Sequence, residues 1–253
     1  MMSGWRALGA VAGPAWAGMT IVTTTRAGGV SLAPYDSLNL GTHVGDDALA
    51  VATNRARLRA LLPAEPCWLE QVHGTTVHDA DGASGAKGGA LPIADGAFTT
   101  TPGRVLAIMT ADCLPVVIAD GEARVLAMAH AGWRGLAGGV LQAAVARVRG
   151  QGGAALRAWV GPAIGPRAFE VGPDVPEAFA GSGLSTAFIP HPEHAGKWLG
   201  DLPAIAGAML RRAGVGTVVQ SGLCTLEDAR FYSYRRDGRT GRFATLAWLH
   251  EPA

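Results

Sequence analysis

The chain has 253 residues, with 21 Lys plus Arg against 20 Asp plus Glu and a formal net charge of +1. That near-neutrality excludes the broad positive field that draws nucleic acid or an anionic membrane, so any anionic ligand has to be held by local residues. Three widely spaced cysteines, Cys67, Cys113 and Cys224, are an odd number and do not read as a disulfide framework, which fits a reducing, cytoplasmic setting.

Residues 1–20 lack the basic start and sustained apolar run of a signal peptide. The β-branched run Thr20-Ile21-Val22-Thr23-Thr24-Thr25 predicts a strand. It leads into a polar, turn-rich segment from Arg26 to Asp47 that reads as a functional loop and a substrate wall. Asp46-Asp47 opens a helix predicted to reach about Leu62, where Pro63 closes it. A strand predicted at 67–73 delivers His73 to its end. The Gly/Ala-rich run 81–90 reads as a mobile loop within one domain over 1–253, because strand-like segments resume on both sides.

Val105–Met109 and Val125–Ala129 are near-continuous apolar runs, the pattern of strands buried on both faces. Cys113 follows the first run. His130 follows the second, just before a helix predicted from Gly135 to about Arg149. Ala158-Trp159-Val160-Gly161 reads as a strand ending in the turn Gly161-Pro162-Ala163-Ile164-Gly165-Pro166, and a helix at 201–213 and a strand at 242–249 close a mixed α/β fold. The apolar stretches at 104–119 and 123–129 are interrupted by charges and fall short of the roughly 20 residues that span a bilayer.

Three short segments carry the chemistry: Gln71-Val72-His73-Gly74, Ala111-Asp112-Cys113-Leu114-Pro115 and His130-Ala131-Gly132-Trp133-Arg134-Gly135. Together they offer two imidazoles and one thiolate, the ligand set of a catalytic zinc site with an open fourth position. The same groups also suit a Cys-His nucleophile and base. With no HExxH helix and no paired CxxC, spacing leaves the two readings open. His191, His194 and His250 read as structural polar residues, and Cys67 and Cys224 as small hydrophobes.

The ordered motifs resemble the YfiH/laccase-domain family, once called multicopper polyphenol oxidases and now regarded as purine nucleoside phosphorylases. The resemblance covers nearly the whole chain. Besides the three segments above it rests on Thr25-Arg26-Ala27-Gly28-Gly29-Val30-Ser31, on Ser37-Leu38-Asn39-Leu40-Gly41-Thr42-His43-Val44-Gly45-Asp46-Asp47 and on the Gly161–Pro166 turn. Phe169-Glu170-Val171-Gly172 and Tyr234-Arg235-Arg236-Asp237-Gly238 complete it. The chain reads Ala94-Asp95-Gly96-Ala97 where many relatives have Asp-Ala-Asp-Ala, and Arg167 where relatives often have Cys.

The resemblance implies a four-layer α/β/β/α sandwich with mixed sheets and a zinc ion held by His73, Cys113 and His130, with copper as an alternative that suits the same donors. It implies phosphorolysis of adenosine, inosine, guanosine or 5′-methylthioadenosine to free base and ribose 1-phosphate, and deamination of adenosine. Cys113, Asp112 and Arg134 are the expected catalytic residues, with Asp112 and Glu170 as candidate proton donors. Arg26 and Arg134 are candidates for phosphate, Asn39 and Gln71 for ribose or base, and Trp133 and Phe169 for stacking on the purine. The expected partners are a small nucleoside and phosphate, without nucleic acid or membrane, and the expected state is a cytoplasmic monomer. Alternative readings are an amidase that edits peptidoglycan precursors, a copper-dependent polyphenol oxidase, and a redox or metal-sensing module built on Cys113.

Overall fold

The computed structural model describes residues 2–82 and 90–252. Along the chain run α1 (Met2–Ala7), β1 (Val11–Ala12), β2 (Met19–Thr23), α2 (Ala48–Arg59), β3 (Val77–Asp79), β4 (Gly96–Thr99), β5 (Leu106–Thr110), β6 (Leu114–Ala119) and β7 (Leu126–Ala131). Then come α3 (Trp133–Gly138), α4 (Val140–Gly150), β8 (Arg157–Val160), β9 (Glu170–Val171), α5 (Asp174–Ala178), β10 (Phe188–Pro190), β11 (Trp198–Gly200), α6 (Leu202–Arg212), β12 (Thr217–Gln220), α7 (Tyr234–Asp237) and β13 (Phe243–Leu249).

The strands form a mixed α/β arrangement. A six-stranded sheet has the order β12-β8-β6-β7-β4-β3, with parallel pairs at its two ends and antiparallel pairs between. A four-stranded antiparallel sheet runs β1-β2-β13-β5, and a small antiparallel sheet runs β10-β11-β9. Side chains on successive strand residues point to opposite faces, and here both faces are covered. On β5, Leu106 and Ile108 join Val117, Leu126, Met128 and Trp159 in a core between the two large sheets. Ala107 and Met109 point the other way, into a core with Leu38, Leu40, Leu58 and Leu246 that lies under α2. On β6 and β7, Val116, Ile118, Ala127 and Ala129 face a third core closed by Leu141, Val145, Ile205 and Leu210 of α4 and α6. Burial on both faces explains why these strands read as unbroken apolar runs.

Helix starts follow side-chain capping. The Asp47 carboxylate accepts from the Ala50 amide at the head of α2, and Asp201 accepts from Ala204 at the head of α6. Two expectations need correction. The helix predicted over 135–149 is two helices, α3 and α4, divided at Gly139, whose φ of 99° is open to glycine and strained for other residues. The strand predicted at 67–73 is absent: only isolated bridges form, Cys67 to Leu106 and Glu70 to Ile93. The amides of Val72, His73 and Gly74 are taken by a carboxylate instead of a ladder, and His73 has a φ of 61°. Residues 83–89 of the run expected to be a loop lie outside the described residues. Among the described residues no helix is long and apolar enough to cross a membrane.

Candidate functional site

Strand ends and the turns beside them bring the three chemical segments together. Cys113 sits in the turn between β5 and β6, His130 near the end of β7 and registered opposite Pro115, and His73 in a bend before β3. One ligand atom from each lies within 4.8 Å of the other two. His73 Nε2 is 3.8 Å from Cys113 Sγ, and the His73 and His130 rings meet edge to face with centroids 4.7 Å apart. Zinc bonds of about 2.3 Å to sulfur and 2.0–2.1 Å to nitrogen at a tetrahedral angle place S and N roughly 3.6 Å apart, so the spacing fits a metal ion.

The buried Asp95, at the entry to β4, organises this centre. Its Oδ1 accepts from the His73 amide at 2.9 Å and lies 2.8 Å from His130 Nδ1, while Oδ2 accepts from the Val72 and Gly74 amides at 3.1 and 2.6 Å. The His130 amide donates to the Asp95 carbonyl as well. One carboxylate therefore fixes the bend that carries His73 and engages Nδ1 of His130, which leaves Nε2 as the ligand atom, the arrangement typical of metal-bound histidines.

Electrostatics favour the ligating form of the thiol. Burial alone would raise the Cys113 pKa; the positive charge of His130 and hydrogen bonds with His130 and His73 outweigh it and bring it down to about 6. A thiolate at neutral pH is the state that binds metal. Burial lowers the His130 pKa, but the Cys113 thiolate and the Asp95 carboxylate drive it upward on balance. Burial likewise works against the Asp95 carboxylate, and the His130 and backbone hydrogen bonds still hold it below the usual range.

The three residues open on a cavity of about 330 Å³. Gln71, Asp112, Ile164, Phe169, Tyr234 and Arg235 line it, together with His43 and Arg242. Gln71 is fixed there by both ends of its amide: Nε2 donates to the Met109 carbonyl and Oε1 accepts from the Met109 amide. Asp112 has a φ of 93°, and its buried carboxylate accepts from the Thr225 hydroxyl at 2.6 Å and the Arg235 amide at 2.7 Å. These bonds tie the start of α7, with Tyr234 and Arg235, to the cavity wall, of which Asp112 is itself part.

Other expected site residues lie elsewhere. Arg26 pairs with Asp36 at 3.0 Å and stacks on Tyr232. Arg134 is exposed, stacks on its neighbour Trp133, and is not part of the cavity wall. Asn39 is fully buried, and its amide is spent on Gly41, Asp46 and the Arg242 amide. Trp133 packs on the core under α4 and does not line the cavity, whereas Phe169 does. Glu170 points to His194, 2.5 Å away, and His191, 3.4 Å away. Those two imidazoles stack nearly parallel at 4.3 Å, and with Glu170 they form a second group whose ligand atoms lie within 4.8 Å of one another, outside the cavity wall.

Sequence reading missed Asp95, His43 and Arg242. Asp95 was visible only as the shared Asp of Ala94-Asp95-Gly96-Ala97, and His43 only as part of a longer motif; nothing local marked Arg242.

Gly132 supplies a direct check of the geometry. A Cβ there would sit 2.6 Å from His73 Cδ2 and 3.1 Å from Cys113 Sγ, while its φ of −64° is open to any residue. Gly132→Ala is expected to leave the circular dichroism spectrum unchanged and to weaken metal binding by about tenfold or more, on the scale of disturbing the support of one ligand. Metal titration measures this, and unaltered affinity would contradict the placement of His73 beside Cys113.

Comparison with known proteins agrees with this architecture. Residues 20–250 match the family described as multi-copper polyphenol oxidoreductase laccase. A Pseudomonas aeruginosa protein named purine nucleoside phosphorylase is 49% identical over 241 residues, covering 94% of this chain and 96% of its own length. The Escherichia coli K12 purine nucleoside phosphorylase YfiH is 47% identical, covering 92% and 94%. A crystal structure of a Neisseria meningitidis protein of family DUF152 superposes with a TM-score of 0.86 at 44% identity, covering 96% of this chain and 99% of that one. The chain belongs to the multi-copper polyphenol oxidoreductase laccase family.

Proposed function

We propose that the chain is a zinc-dependent purine nucleoside phosphorylase that converts adenosine, inosine, guanosine and 5′-methylthioadenosine to free base and ribose 1-phosphate, and that it also deaminates adenosine. The observation that carries this reading is the meeting of His73, Cys113 and His130 on one cavity of about 330 Å³, a size within the roughly 300–1,000 Å³ usual for small-molecule sites. The names of the relatives at 47–49% identity support the choice of substrate class.

In phosphorolysis a phosphate oxygen bonds to C1′ as the C1′–N9 bond breaks. The electron pair leaves with the purine, which takes up a proton. His73, Cys113 and His130 would hold the zinc ion, and the chemistry it would supply there is Lewis acidity, which also serves the activation of water that deamination needs. The protein's own contribution is shape and orientation. Asp95 holds both imidazoles in register, Phe169 and Tyr234 give the purine aromatic surface, and Asp112 keeps α7 in place.

Metal removal tests the cofactor. Protein stripped with a chelator is expected to lose nucleoside turnover and to regain it when one equivalent of zinc is added back. Full turnover by metal-free protein would refute zinc dependence and favour a Cys113–His130 covalent mechanism.

A further inference from the structure

Most arginines of this chain that approach an acid are neutralised by it: Arg26 by Asp36, Arg124 by Asp120, Arg167 by Glu227, Arg230 by Asp228 and Arg236 by Asp237. Arg242 differs. Its guanidinium is half-buried and lines the cavity of the His73–Cys113–His130 centre, and among the described residues no carboxylate lies within ion-pair distance of it. Nη1 is held by the Thr240 and Gly241 carbonyls at 3.2 and 3.0 Å, and among the described residues Nε and Nη2 have no acceptor. The nearest negative groups are already engaged: Asp112 accepts from Thr225 and Arg235, and the Cys113 thiolate belongs to the metal centre. A cation withdrawn from water without a counter-charge is costly unless a ligand supplies the charge.

The surroundings hold that guanidinium in place and add further positive or hydrogen-bonding groups. The Arg242 amide donates to Asn39 Oδ1 at 2.8 Å, and its carbonyl accepts from the Leu40 amide at 3.0 Å. At Gly41 the loop passes so close that a Cβ would lie 2.9 Å from Arg242 Cγ. The same loop continues to His43, which lines the cavity beside Arg242 and also an adjoining recess with Tyr234. Burial and the charges of Arg242 and Arg55 hold the His43 imidazole below its ordinary range, so at neutral pH it is an uncharged hydrogen-bonding group. Arg235, the other cavity arginine, has its guanidinium anchored by the Glu170 carbonyl at 2.6 Å, and that guanidinium too has no carboxylate within ion-pair distance among the described residues.

We propose that Arg242, with His43 and Arg235, forms an oxyanion subsite that binds inorganic phosphate as the second substrate. This rests on the phosphorylase reading for the reaction, but not for the binding. It moves the phosphate role away from Arg26 and Arg134, which the fold places outside the cavity wall. The guanidinium presents a planar fork of donors that matches a phosphate oxygen pair, and it carries its charge at any working pH. Asn39 and Gly41 act through Arg242 as positioning residues.

Two measurements on the zinc-loaded full chain test the subsite: calorimetric titration with inorganic phosphate, alone and with inosine, and steady-state phosphorolysis of inosine as phosphate is varied. Arg242→Gln is expected to raise the KM for phosphate, and the phosphate Kd, by about tenfold or more, the size of losing a charge-assisted hydrogen bond. The KM for inosine should stay within about twofold, since the lost bond touches only phosphate. Arg242→Lys should recover part of the loss by restoring charge without the fork. His43 lies in a turn outside the helices and strands, so His43→Gln gives a second variant that does not burden folding, with a smaller rise in the same constant. Unchanged phosphate constants in both Arg242→Gln and His43→Gln, or no phosphate binding by the wild type with or without inosine, overturns the subsite. Phosphate bound by the wild type and weakened in Arg242→Gln, with no base released from any nucleoside, keeps the subsite and refutes the phosphorylase reading.

Discussion

Replacing Cys113 with alanine is expected to remove nucleoside turnover by a factor on the order of 10³ or more, the scale on which deleting one member of a catalytic constellation acts. The thiol contributes the negative ligand of the centre: its pKa is brought down to about 6, whereas the two other donors are imidazoles. Without it His73 and His130 remain as two imidazole donors, too few for a catalytic zinc site with three protein ligands. His130 also loses the thiolate whose charge drives its pKa upward, so it becomes easier to deprotonate. Loss of fold does not explain the effect, because deleting one half-buried sulfur costs roughly 1 kcal/mol. Metal analysis of the purified variant should show little bound zinc, with the melting temperature of the metal-free protein nearly unchanged. A variant that retained full zinc and turnover would remove Cys113 from the centre.

The second large effect is on Asp95, which belongs to no motif that marked the site in sequence. Its carboxylate accepts from three consecutive amides and engages His130 while fully buried. Asp95→Ala leaves the buried His130 imidazole without its carboxylate and three part-buried amides without their acceptor, so the expected destabilisation is about 3–5 kcal/mol, the scale of breaking a buried charged pair. Asp95→Asn keeps the shape but turns one acceptor into a donor facing the amides. It should weaken zinc binding about 10–100-fold, as loss of the group that orients a ligating histidine does elsewhere. The pH dependence has a definite sign. The folded Asp95 pKa lies below its unfolded value, so its contribution is full above the ordinary aspartate pKa of about 4 and is lost as pH falls through the lower, folded value. Denaturant titrations should therefore show the gap between wild type and Asp95→Asn wide at neutral pH and narrowing below pH 4. A gap that widened on acidification would contradict the role given to the carboxylate.

These two residues also show what the sequence does and does not reveal. Strands buried on both faces announce themselves as apolar runs, and β5, β7 and β13 lie where those runs predict them. Helix α2 begins where Asp47 predicts a cap. The break at Gly139 stands in a Gly138-Gly139 pair, a turn signal outweighed in the helix expected over 135–149 by the alanine- and leucine-rich residues around it. At 67–73 the apolar pattern suggested a strand, but the outcome turned on Asp95, a distant carboxylate that captures the amides of residues 72–74.

The candidate site divides in the same way. His73, Cys113 and His130 are each flagged by their own short motif, so the three were legible without knowing how the strands pair. Arg242 and His43 meet only because β13 returns past the 39–43 loop, a contact set by the Asn39 side chain and Leu40 backbone. Arg26 and Asn39 stand in motif-like segments yet serve the loop itself, through Asp36, Asp46 and Gly41. Residue type marked them as ligand-binding; their partners are internal.

The central claim, phosphorolysis at the His73–Cys113–His130 centre, is tested most directly by chromatography of the products formed from inosine by zinc-loaded protein, with and without phosphate, for the wild type and Cys113→Ala. Hypoxanthine and ribose 1-phosphate in equal amounts, formed by the wild type only when phosphate is present and not by Cys113→Ala, is the predicted result. Free base released equally without phosphate, or undiminished in Cys113→Ala, would contradict it.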